Sequence, residues 1–168
     1  MGEAKVGEEF ITHEYDEAIA VQQSIVDAET ELAKSHPVAS AKRAIKEMLT
    51  EDKEFLSKLE ALGKPHGATG KVEDVAGGLK ELMEEVLETA TTEGADSDYY
   101  EAHAVLLNLK RKQMDSAGGM LEIARATKDT ELRDAATAFA RAQRASCQTL
   151  ADELATFAAQ IATAKAAA

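Results

Sequence analysis

The sequence predicts an all-α fold, an up-down antiparallel four-helix bundle made of two helical hairpins, with an additional shorter helix connecting them. Three observations lead there. Ala, Leu, Glu and Lys are abundant while Pro occurs only twice and Trp is absent. Apolar residues recur at a helical period in five segments, and no stretch alternates as a strand would. Both Pro, and the Gly at 63, 67, 70 and 94, fall between those segments.

The first helix is expected from about Thr12 to Lys34, with Thr12 as N-cap and Glu14, Asp16 and Glu17 favouring its positive end. It stops at His36-Pro37, where Pro37 suits the first turn of a second helix that reaches Leu62 and ends at Gly63. After the polar loop Gly63 to Gly70, a shorter third helix runs from about Val72 to Thr92 and is closed by Gly94. Asp98 and Glu101 have capping-box spacing at the start of the fourth helix, and Asp129 or Thr130 caps the fifth. The domain reading is a flexible N-terminus over 1–11, one helical domain over 12–162 and a flexible Ala-rich tail over 163–168.

Polar residues interrupt the apolar stripes, and their heights agree. Gln22 and Glu29 lie within the face of helix one, Asp52 in that of helix two, Gln113 in helix four and Gln143 in helix five. In an antiparallel hairpin turning near His36, Gln22 comes level with Asp52. In one turning near Lys128, Gln113 comes level with Gln143. An ionised Asp52 inside such a core needs a cation or several hydrogen bonds, and Lys110, one turn from Gln113 in the same sector, is the candidate. The expected site is therefore a mid-height layer of Gln22, Asp52, Lys110, Gln113 and Gln143, in which Lys110 and the three Gln satisfy Asp52.

The order of elements resembles the ferritin-like superfamily, in particular its bacterial YciF-type branch. The residues that carry the resemblance are Tyr15-Asp16-Glu17, the loop Leu62-Gly63-Lys64-Pro65, and Gly78-Leu79-Lys80-Glu81 on the middle helix. The resemblance implies a mid-height di-metal centre with a Glu on each of two helices and a Glu-x-x-His pair on each of the others. Here those positions read Gln22, Asp52-Lys53-Glu54-Phe55, Gln113 and Gln143-Arg144-Ala145-Ser146, and Lys110-Arg111-Lys112-Gln113 stands where the branch carries a Glu-His-x-Glu run. One carboxylate remains and both His are replaced. Neutral amides are poor substitutes for anionic ligands, so the expectation is a degenerate site with no cofactor.

Other signals are sparse. The net charge of −12 disfavours nucleic acid, and no apolar run suffices for a transmembrane segment. A single Cys147 in the last helix's apolar stripe fits a packed hydrophobe, and with an N-terminus lacking signal-peptide features it suggests a cytoplasmic protein. His13 and Glu17, and Glu81 and Glu85, have the spacing of surface metal pairs but read as solvated charge. His103 reads as a hydrogen-bonded residue at the core edge, and His66 as a loop residue without an evident partner. Gly77-Gly78 and Gly118-Gly119 suggest close helix approach, with Gly118→Leu expected to destabilise.

The functional expectation is a ferritin-like protein with a structural or interaction role, stress-related by resemblance, more a non-enzyme than an enzyme, with no identifiable small-molecule substrate and room for a homodimer through a helical face. One alternative is a residual iron or manganese oxidoreductase with a rearranged site drawn from Glu29, Asp52, Glu81, Glu101 and His103. Another is a phasin-like amphipathic coating protein, suggested by the Ala-rich tail.

Overall fold

A computed structural model of the chain describes residues 5–72 and 75–164, apart from the side chain of Val75. The described residues form helices α1 (Glu8–Ser35), α2 (Ala39–Gly63), α3 (Val75–Glu93), α4 (Asp96–Thr127) and α5 (Thr130–Thr163), with one 3₁₀ turn at Lys64–His66. No helix among them is long and apolar enough to cross a membrane.

The four long helices touch in cyclic order, α1 against α2, α2 against α5, α5 against α4 and α4 against α1, while α3 lies against α1 and α4. Cross-helix pairs give the directions. Gln22 meets Asp52, His36 meets His103, Ser40 meets Glu153 and His103 meets Leu150, so each neighbour in the ring runs antiparallel to the next. Because α2 and α4 then point the same way, the chain must return along the outside between them, and α3 makes that return. Its 19 residues span about 28 Å at about 1.5 Å per residue.

Burial follows these contacts. Helix α1, packed on three neighbours, buries a broad face that includes Tyr15, Ile19, Val21, Ile25, Val26 and Leu32, whereas α2, with fewer neighbours, fully buries only Ala41, Ile45, Asp52, Leu59 and Gly63. Helix α3 inserts Ala76, Met83 and Ala90, two turns apart each, with partly buried Leu79, Val86 and Leu87 beside them. The apolar interior falls into two bodies. One contains Ile25, Leu32, Ile45, Leu106, Leu109, Leu150 and Phe157, and the other Tyr15, Ile19, Leu59, Met120, Leu132 and Phe139. Between them, on every long helix, lies a polar residue of the predicted layer.

Several local expectations are corrected. Helix α1 begins at Glu8, behind Gly7 at φ 61, so residues 8–11 belong to the helix rather than to a flexible end. Thr12 donates to the carbonyls of Glu8 and His66 instead of capping. Pro37 lies before α2, whose N-cap is Val38, and α3 starts at Val75 rather than Val72. Helix α4 starts at Asp96 with Ala95 as N-cap and no side-chain capping bond, so Asp98 and Glu101 form no capping box. Asp129 does cap α5, accepting from the Leu132 N–H at 2.9 Å. Of the proposed tail, residues 165–168 lie outside the described residues, and Thr163 closes α5.

The Gly pairs do not mark close helix contact. A Cβ at Gly78, Gly118 or Gly119 would meet nothing within 4 Å, and one at Gly77 would meet only the Val72 backbone, at 3.3 Å. Gly70 is the opposite case, with φ +72 and a would-be Cβ 2.7 Å from the Ile19 side chain. Gly118→Ala and Gly119→Ala should each raise stability by about 0.5–1 kcal/mol, since helix propensity improves with no clash. Gly70→Ala should lower it. Thermal or urea unfolding of the three variants reads both signs, and a clear loss in Gly118→Ala would restore the close-contact reading.

Candidate functional site: a buried lysine between two carboxylates

Four helices bring six polar side chains together at mid-height. Gln22 and Glu29, two turns apart, share a face of α1, Asp52 comes from α2, Lys110 and Gln113 from adjacent turns of α4, and Gln143 from α5. All are buried, with exposure of 2% at Asp52 and less at the others. The Lys110 Nζ donates at 2.6 Å to Asp52 Oδ2 and at 2.6 Å to Glu29 Oε1. Asp52 Oδ1 accepts from Gln22 Nε2 at 2.8 Å and from Gln143 Nε2 at 2.6 Å, and Gln22 also reaches the Asp52 carbonyl.

Gln113 stands apart from the expected arrangement. Its Nε2 donates to the Ala18 carbonyl and, at 3.1 Å, to Gln22 Oε1, so it orients Gln22 rather than touching Asp52. Glu29 is the member missing from the expected layer, the second carboxylate on Lys110. It interrupts the α1 stripe, but its link to the layer runs through Lys110 on α4, whose alignment with α1 depends on the long crossover and leaves no mark in the sequence.

Charge balance follows from burial. Burial, opposed by Lys110 and reinforced by the nearby Asp52 charge, pushes the Glu29 carboxyl up to about 8. Burial alone would pull the Lys110 ammonium down, but the Glu29 and Asp52 carboxylates together hold it above its ordinary value. The layer near neutrality is therefore a Lys110 cation, an Asp52 anion and a protonated Glu29. Since Glu29 Oε1 accepts from Lys110, its proton resides on Oε2, one of four buried side-chain atoms without a hydrogen-bond partner among the described residues, with Tyr15 Oη, Gln113 Oε1 and Gln143 Oε1.

Of the residues considered for a rearranged metal site, only Glu29 and Asp52 come together. Glu81 and Glu101 are exposed. His103 is fully buried rather than at the core edge, and it has an imidazole partner. His36 Nδ1 accepts from the Val38 N–H, so its Nε2 carries the proton and donates to His103 Nδ1 at 3.1 Å, and His103 Nε2 in turn donates to the Leu150 carbonyl at 2.9 Å. This chain of neutral rings ties the α1–α2 turn to α4 and α5, with Phe157 and Tyr99 packed against His36. Burial, then the neighbouring His103, lowers His36 to about 4, and burial lowers His103.

The remaining histidines are surface features. His66 stacks on Tyr15 with centroids 5.2 Å apart and bonds Glu8, so it does have partners. His13, Glu14 and Glu17 cluster on α1, where Lys5 bonds His13 at 3.0 Å and Lys112 bonds Glu17 at 3.2 Å. Cys147 is buried, and burial raises its thiol.

Two outcomes test this electrostatic picture. Lys110→Met, which leaves Asp52 without its cation, should cost about 3–5 kcal/mol in urea unfolding, and an unchanged midpoint would mean the pair is not buried. The pH dependence has two opposing parts. His36 binds protons more readily unfolded, so its contribution is complete above about 6.5 and falls as pH drops toward 4, by up to about 3 kcal/mol. Glu29 binds its proton more readily folded, so its contribution is complete below about 4.5 and is lost as pH rises toward 8. Between pH 6.5 and 8 the Glu29 part acts without the His36 part. Wild-type stability should decline there by about 1–2 kcal/mol, and Glu29→Gln should flatten that decline.

No protein-family model matches this chain, and no curated protein matches it either.

Proposed function

We propose that the chain is a ferritin-like helical protein in which a lysine-carboxylate centre occupies the position of a di-metal centre, and that its role is structural or interactive rather than redox. The observation that carries this reading is the Lys110 ammonium, 2.6 Å from both remaining carboxylates. The cyclic packing of four antiparallel helices with an external crossover helix supports the ferritin-like part.

The donor set does not fit two metal ions. Among the described residues, Asp52 and Glu29 are the only carboxylates in the layer and no imidazole joins them, while three amides supply weak neutral donors and a cation stands between the carboxylates. Glu29 must also lose a proton before it can ligate. The site is sealed as well, since its members are buried and leave no open position at which a substrate could meet the layer. The stress-related and bacterial setting rests on the resemblance to the YciF-type branch, and the cytoplasmic one on the single, buried Cys147.

Metal analysis of protein purified from iron- and manganese-supplemented culture tests the proposal directly. The expected result is no stoichiometric metal, with unfolding unchanged by chelator. Two tightly held ions per chain would overturn it in favour of the oxidoreductase.

A further inference from the structure

We propose that the layer is the precursor of an intramolecular isopeptide bond, in which Lys110 Nζ condenses with the Asp52 carboxyl and covalently joins α4 to α2. The inference rests on the metal-free reading of the layer and goes beyond it.

The arrangement supplies each part that such a condensation needs. The amine and the carboxyl are held at hydrogen-bond distance, Nζ to Oδ2 2.6 Å, in a site closed to water. Holding two reactants in this way is equivalent to an effective concentration of about 10⁵ M or more, which offsets the unfavourable balance of amide formation in water. Asp52 Oδ1 receives two amide N–H donors, from Gln22 and Gln143, placed where negative charge develops when a carboxyl carbon is attacked. Glu29 Oε1 accepts from Nζ, while its Oε2, without a hydrogen-bond partner among the described residues, carries the proton available to the leaving oxygen.

The steps balance without an outside reagent. Lys110 passes one proton to Asp52 Oδ2, which leaves a neutral amine beside a neutral carboxyl. The Nζ lone pair then attacks Cγ, and the electrons of the carbonyl bond move to Oδ1, against the two Gln donors. Glu29 takes a second proton from Nζ and delivers one to Oδ2. Collapse reforms the carbonyl at Oδ1, breaks Cγ–Oδ2 and releases Oδ2 as water. One proton stays on Nζ as the amide N–H, and Glu29 ends as it began. Because the ion pair holds the first proton on nitrogen, the reaction is slow and follows folding.

The bond would join two helices that face each other across the diagonal of the ring, where side chains meet but backbones do not adjoin. Intact-mass spectrometry of the purified, folded chain is the test, read after prolonged incubation at elevated temperature. The expected result is a mass lower than that of the uncondensed chain by one water, with a branched peptide joining the segments that contain Asp52 and Lys110. Glu29→Gln should keep the uncondensed mass while its circular dichroism stays helical. Should that variant fail to fold, the wild-type mass and branched peptide alone decide. A folded wild type that keeps the uncondensed mass, or loses water elsewhere, overturns the proposal, and rapid condensation in Glu29→Gln overturns the proton-transfer role of Glu29. Metal content of the same sample is an independent reading, so the failure of this inference is distinguishable from failure of the metal-free layer.

Discussion

A buried ammonium must find negative charge, and in this protein that requirement is met by two helices other than its own. Lys110 on α4 reaches Glu29 on α1 and Asp52 on α2, and Asp52 is reached in turn from α1 and α5. The four long helices can satisfy this set only at one rotation and one height each. Apolar packing alone tolerates sliding, because one Leu or Ala layer resembles the next. The charged layer does not. A shift of one helical turn in α2 or α4 would part Lys110 from Asp52, at a cost of several kcal/mol, and one in α1 or α5 would remove Gln22 and Glu29 or Gln143 from the set.

Much of this is written locally. The interruption of four apolar stripes marks the layer, and equal distance from a short turn aligns Gln22 with Asp52. Short turns work as rulers because a few residues leave little freedom in how two helices meet. The same ruler fails across the crossover. Helix α1 packs on α4 through Glu29–Lys110 and His36–His103, but the chain between them passes through α2, a loop and the whole of α3. Nothing in the spacing of residues fixes that alignment, which explains why the His36 partner of His103 and the role of Glu29 were not legible. Gln113 illustrates a finer limit, since its height could be read but not that its amide would turn to the Ala18 carbonyl.

The helix termini show how tertiary contact displaces local preference. Thr12 has the chemistry of an N-cap, yet its hydroxyl is used to tie α1 to the His66 carbonyl, and the helix continues a turn further back. At α4, Asp96 and Asp98 fall in the first turn and favour its positive end without a capping bond. The Gly pairs mislead for a related reason, since a helix can carry them on an open face at modest cost when its opposite face is well buried.

The division of the interior into two apolar bodies has a consequence for how the molecule opens. The body that includes Leu106, Leu150 and Phe157 is closed at its end by His36 and His103, while the body that includes Met120 and Phe139 contains no buried imidazole. Their boundary is held by groups that respond to the opposite end of the pH scale. The two halves are packed separately and joined by a polar seam. Acid loosens the first from its outer end, alkali loosens the seam between them, and amide exchange should follow a gradient along the helix axis that reverses direction between the two conditions.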